Sequence, residues 1–142
     1  MTQKRFFLVA LMCMIMSATT FASDRVITAN QLPAAAQTFI NQTFPGASIM
    51  YAEIDDGKYE VHLNDGTEIN FDRKGNWDKV DCKLKAVPAH LIPATIASNV
   101  ETQFSGTVIT KIDKERYGYE IELSNGLDLK FNRQGMLSEI DD

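Results

Sequence analysis

Residues 58–77 read KYEVHLNDGTEINFDRKGNW, and residues 118–137 read GYEIELSNGLDLKFNRQGML. Each stretch alternates polar and apolar residues, breaks at a glycine-containing turn, alternates again and breaks at a second glycine. Alternation with period two is the pattern of a half-buried strand, and Asn-Asp-Gly (64–66) or Ser-Asn-Gly (124–126) suits a tight hairpin. The same stretch therefore occurs twice, sixty residues apart.

Working outward, the match extends without a gap over Leu32–Asp81 and Ile92–Asp141. Pro33, Phe44, Gly46, Ile49, Tyr59, Glu60, Leu63, Gly66, Phe71, Arg73, Gly75 and Asp81 all recur sixty positions later. These are turn glycines, aromatics and core-type apolar residues, which fix a backbone path. The chain is a tandem of one structural unit.

Each unit opens with a helical pattern. Leu32, Ala36, Phe39, Ile40 and Thr43 recur at three- and four-residue spacing, as do Ile92, Ile96, Val100 and Phe104. Pro33 and Pro93 suit a first helical turn, and Gly46 and Gly106 stand where a left-handed residue would end the helix. First strands are expected over about 48–54 and 108–113, and fourth strands over 76–82 and 136–141. The fold class is α+β: two tandem repeats of one helix and a four-stranded antiparallel sheet, the helices on one face. Two units of this size gain stability by sharing a core, so the sheets are expected to join into one curved, eight-stranded sheet. Residues 23–82 form the first repeat, 83–91 a linker and 92–142 the second repeat.

Residues 1–22 read as a signal peptide. Lys4 and Arg5 precede an apolar run from Phe6 to Met16, and Thr20-Phe21-Ala22 offers a cleavage site before Ser23. The run is short for a membrane span, and bulky Met12 before Cys13 departs from a lipoprotein signal. The expected location is periplasmic or secreted, with no stable membrane insertion after cleavage. Loss of Lys4 and Arg5 takes the net charge from −5 to −7. That balance disfavours nucleic acid and anionic membrane surfaces as partners and leaves room for a basic protein or a cation. Only Cys82 survives processing, so no internal disulfide forms.

The stretches GASIMYAEI (46–54) and 58–77 resemble the PepSY-like, β-lactamase-inhibitory-protein-like family, over nearly all of Leu32–Asp141. The resemblance implies an exported bacterial protein with tandem repeats. It also implies two helix-plus-four-strand units side by side, whose joint sheet can grip another protein. No inhibitory-loop motif matches, so no inhibitory residue is carried over. The absence of a cysteine pair is a departure from the inhibitor.

Catalytic groupings are thin. A Cys82/His90 or Cys82/His62 pair lies in no nucleophile motif, and Cys82 also reads as the buried end of a strand. Those residues match no standard zinc spacing. Asp55-Asp56-Gly57 and 64–68 are too short for a calcium loop and are explained by turn chemistry. No enzyme and no cofactor is expected. The polar sheet face carries the functional expectation. By alternation it presents Tyr51, Glu53, Glu60, His62, Glu68 and Lys79 in the first repeat, and Glu120 and Glu122 in the second. Trp77 shares their parity, whereas a bulge near the turn would place it in the core. Aromatic residues rimmed by charge are common binding anchors. The expected function is a non-enzymatic module that binds an exported or envelope protein or peptide and in that way inhibits an enzyme. The alternative is an envelope sensor or carrier of a small ligand or metal cation.

Overall fold

The computed structural model describes residues 24–142. The signal-peptide expectation lies outside the described residues. Among the described residues nine strands form one sheet in sequence order, every neighbouring pair antiparallel. They are β1 (Arg25–Ile27), β2 (Ile49–Asp55), β3 (Lys58–Leu63), β4 (Glu68–Phe71), β5 (Trp77–Asp81), β6 (Ile109–Glu115), β7 (Gly118–Leu123), β8 (Asp128–Asn132) and β9 (Leu137–Asp141). Helix α1 (Ala34–Thr43) precedes β2, and α2 (Ala94–Gln103) precedes β6. The two units fold alike.

The eight-strand expectation is corrected to nine. The extra strand is β1, whose three residues are too few to show an alternation. Its place explains it. β1 pairs with β2 by setting Val26 opposite Glu53 and Ile27 opposite Ala52. β5 pairs with β6 by setting Lys79 opposite Asp113 and Val80 opposite Ile112. Sixty residues separate Glu53 from Asp113 and Ala52 from Ile112, so β1 fills for the first unit the place that β5 fills for the second.

The register aligns one apolar row across the sheet: Ile27, Ala52, Val61, Ile69, Val80, Ile112, Ile121, Leu129 and Ile140. All but Ile140 are buried, in one core with Ala36 and Ile40 of α1 and Ile96 and Val100 of α2. Both helices therefore cover the same face. The row passes through the β5–β6 joint without interruption, so the two units share one interior. Residues 83–91 take part as well: Val87 and Leu91 are buried, and the Val87 amide donates to the Ile109 carbonyl at 2.8 Å.

The repeated turn residues act alike in both units. Asp72 Oδ1 accepts from the Lys74 and Asn76 amides, and Asn132 Oδ1 from those of Gln134 and Met136. Arg73 Nε donates to the Asp56 carbonyl at 3.2 Å, and Arg133 Nε to the Arg116 carbonyl at 2.7 Å. The repeated arginine thus ties the second turn of each unit to its first hairpin. One expectation fails at the helix ends. Both helices stop at an aromatic cap, with the Phe44 and Phe104 amides bonded to Ile40 and Val100 carbonyls at 2.8 Å. Gly46 and Gly106 lie in the tight turn beyond, and only Gly106 takes a positive φ.

Candidate functional site

The sheet face away from the helices carries two transverse polar rows. One runs Tyr51, His62, Glu68, Asp81, Lys111, Glu122, Asp128, Asp141. The other runs Glu53, Glu60, Asn70, Lys79, Asp113, Glu120, Lys130, Glu139. Neighbouring strands lie about 4.8 Å apart, so directly opposed residues interact. Several opposed pairs are both acidic: Glu53 and Glu60, Glu68 and Asp81, Asp113 and Glu120, Glu122 and Asp128. Like charges directly opposite each other destabilise a sheet.

Part of this repulsion is relieved internally. Lys83 Nζ bridges Glu68 at 3.1 Å and Asp81 at 3.0 Å, and Lys130 Nζ lies 3.1 Å from Glu139. Lys83 was not expected in this role. It holds a positive φ just past β5, which turns its side chain back over the strand. His62 stands between two carboxylates, with Nε2 2.7 Å from Glu60 and Nδ1 3.6 Å from Glu68. The Tyr51 ring stacks on it at 4.2 Å and 14°. Tyr51, Glu60, His62 and Glu68 therefore form one cluster, with Glu53 and Lys79 in the adjacent row. Glu120 and Glu122 lie on the same face in the second unit.

A depression of about 460 Å³ opens beside this cluster, where the two units join. Its lining includes Glu53, Glu60, Asn70, Lys79 and Asp113 of the second polar row, together with Asp24, Asp55, Asp78, Glu115, Lys58 and Lys114. Burial, and next the Glu115 carboxylate, push Asp113 up to about 6, although Lys79 and Lys111 oppose the shift. Asp55 is raised chiefly by neighbouring Asp24, and Asp78 chiefly by burial. Asp55 and Glu115 continue the alternation of Glu53 and Asp113 but fall beyond the expected strand ends at 54 and 113, Asp24 precedes the unexpected β1, and Asp78 is the extra residue of a bulge, so these four were missed as site residues.

The raised Asp113 carries a sign. Its folded pKa exceeds the unfolded value near 4, so ionisation opposes folding and the penalty is present above pH 6. Stability is regained as pH falls through 6. Asp113→Asn should therefore raise stability at pH 8 by about 1 kcal/mol, allowing for solvent screening. At pH 4 the difference should vanish. Thermal melts at the two pH values check this.

Trp77 needs a correction. A bulge between Asn70 and Phe71 in the β4–β5 pairing sets Trp77 opposite Phe71, on the helix side. Its ring stacks on Phe39 at 6.1 Å and 28°, and Lys114 Nζ lies 3.6 Å from its centroid. It therefore does not join Tyr51 and His62 as an anchor of the open face. Trp77→Ala should cost about 2–3 kcal/mol of stability, within the range for partly buried aromatics. Ligand affinity at the open face should stay unchanged, which melting and titration of one variant would check. In the second unit Asn99 and Leu137 replace Phe39 and Trp77, and Asn99 Oδ1 is buried without a partner among the described residues.

Cys82 is in the core, and burial pushes its thiol up, away from the thiolate that nucleophilic chemistry needs. His90 is exposed on the short turn before α2. Among the described residues, no three His, Cys, Asp or Glu side chains are grouped to hold a metal ion. Among them, too, no helix is long and apolar enough to cross a membrane.

A family model described as "Putative beta-lactamase-inhibitor-like, PepSY-like" matches residues 20–64 and 57–139. No curated protein matches the chain. Solved structures do. A Bacteroides vulgatus protein described as a "putative periplasmic protein of unknown function" is 35% identical, with a TM-score of 0.81, over 84% of this chain and all of that one. A second B. vulgatus protein with the description "putative periplasmic protein" is 36% identical, with a TM-score of 0.80, over 84% of this chain and 98% of its own. A Bacteroides thetaiotaomicron protein described as "putative calcium-regulated" and periplasmic is 37% identical, with a TM-score of 0.80, over 84% and 97%.

Proposed function

We propose that this chain, which belongs to the PepSY-like family, is an exported, non-catalytic binding module whose open sheet face receives a basic segment of another exported protein. One observation carries the proposal: the acidic depression where the two units meet, lined by the opposed Glu53 and Glu60 and by Asp113, carboxylates that the fold leaves partly uncompensated. A basic segment would neutralise charges that the sheet otherwise holds at a cost. Tyr51, stacked on His62 and 40% exposed, supplies an aromatic contact beside them. The periplasmic description of three relatives supports export. Enzyme inhibition is one outcome of such binding.

The spacing of the acids favours an extended ligand. Calcium takes six to eight oxygens at about 2.3–2.6 Å, whereas these carboxylates are spread over four strands and the residue before β1, and are interleaved with lysines. The second reading, a cation sensor, rests on the calcium-regulated description of the B. thetaiotaomicron relative. Calorimetric titration separates the two. The first reading expects saturable binding of a lysine-rich peptide that weakens as pH falls from 7 to 5 and Asp113 gains a proton. A one-to-one heat with calcium at micromolar affinity, with no peptide binding, would replace it with the second.

A further inference from the structure

The fold contains its own example of what the last strand accepts. β9 is the sixty-residue counterpart of β5, and the outer side of β5 is occupied by β6. That pairing sets Asp81 opposite Lys111, Val80 opposite Ile112 and Lys79 opposite Asp113. Opposite charges meet on the open face and two aliphatic side chains meet beneath the helices. The outer side of β9 carries the counterparts of these β5 residues, yet among the described residues no strand pairs with it.

The consequence shows in burial. Val80 is fully buried under its β6 partner, whereas Ile140, in the same place on β9, is 52% exposed. Met136, just before β9, is 63% exposed. The apolar row that is closed from Ile27 to Leu129 is thus open at Ile140. On the other face Glu139 and Asp141 stand where β5 has Lys79 and Asp81, and among the described residues their one close cation is Lys130, at 3.1 and 3.8 Å. The two edges of the sheet are treated differently. The first is closed by the three-residue β1, while the last presents a five-residue strand. Unpaired backbone groups on such an edge are a template for another strand.

We propose that the outer edge of β9 takes up an extended segment of a partner protein as a tenth, antiparallel strand. The segment alternates basic and aliphatic residues. Its basic side chains lie opposite Glu139 and Asp141, and an aliphatic one covers Ile140 as Ile112 covers Val80. Main-chain hydrogen bonds supply affinity and the alternating side chains supply selectivity. A second copy is a poorer occupant. Two β9 strands paired about a two-fold axis at Ile140 would set Glu139 of each copy against Asp141 of the other, a like-charge opposition. This site lies at the sheet edge and does not depend on the open-face reading.

The test uses a synthetic peptide with the sequence threonine-lysine-isoleucine-lysine-threonine, titrated into the isotopically labelled chain. Amide shifts should concentrate in residues 137–141, and Ile140→Lys should weaken binding by at least about tenfold. Tyr51→Ala should leave this binding unchanged. Ile140 is exposed, so its variant folds, and a melt verifies that. Three results would overturn the proposal: no binding at millimolar peptide, shifts confined to the open face, or undiminished binding by Ile140→Lys. A concentration-dependent dimer abolished by Ile140→Lys would instead identify a second copy as the occupant and overturn the choice of partner.

Discussion

Replacing Phe71 with alanine lowers the unfolding free energy by about 3–5 kcal/mol, as for other fully buried phenylalanines. Phe71 is fully buried on the helix side of β4. Its ring meets Phe39 of α1 edge-on at 5.7 Å and 83°, and its neighbours in register are Tyr59 and Trp77. The cavity cannot collapse easily, because a helix and two adjoining strands fix its walls. A domain of this size is stable by about 5–15 kcal/mol, so the loss is a large fraction of the total. The form of the transition is equally telling. Val80 and Ile112 are both fully buried where the units join, so the variant should unfold in one step at lower denaturant. Two separate transitions, with only the first displaced, would show that the units do not share a core.

Gly118→Ala should cost about 3 kcal/mol or more, although the change adds one methyl group. Gly118 holds φ +146°, where L side chains are strained. A Cβ there would overlap the Phe131 carbonyl and the Asn132 backbone on β8. The reason lies in the preceding turn. In the first unit Asp56 and Gly57 both take positive φ, as a tight primed turn requires, and Lys58 follows without difficulty. In the second unit Arg116 and Tyr117 occupy the turn without positive φ, and Gly118 absorbs the distortion. Lys58→Ala, at the matching position, should be nearly neutral. Equal losses for the two variants in chemical denaturation would contradict this account of the hairpins.

The duplication made most of the fold legible. Matched glycines, alternating strands and two apolar helical stripes place both units, and the apolar row explains why their sheets are continuous. Two features escaped and a third was left open, for identifiable reasons. β1 is three residues long, and nothing in Arg25-Val26-Ile27 distinguishes an edge strand from a loop. Trp77, which the alternation left between two faces, stands just before the extra residue Asp78, and a single extra residue reverses which face a side chain takes. Gly46 matches Gly106 in sequence but not in φ, because turn type depends on backbone geometry that the pair Pro45-Gly46 does not fix. For the site, alternation identified the open face and its carboxylates. It could not show that the units meet to form a depression, nor that Asp24, Asp55, Asp78 and Glu115 help to line it. Those residues come together only through the β1–β2 and β5–β6 pairings, which depend on long-range register.

The proposed open-face function is tested most directly by mapping amide shifts while a lysine-rich peptide without apolar residues is titrated into the labelled chain. Perturbation should centre on Glu53, Glu60, Asn70, Lys79 and Asp113, saturate at one peptide per chain and disappear in Glu60→Lys. Shifts scattered over α1 and α2, or an undisturbed open face at low salt, would contradict it.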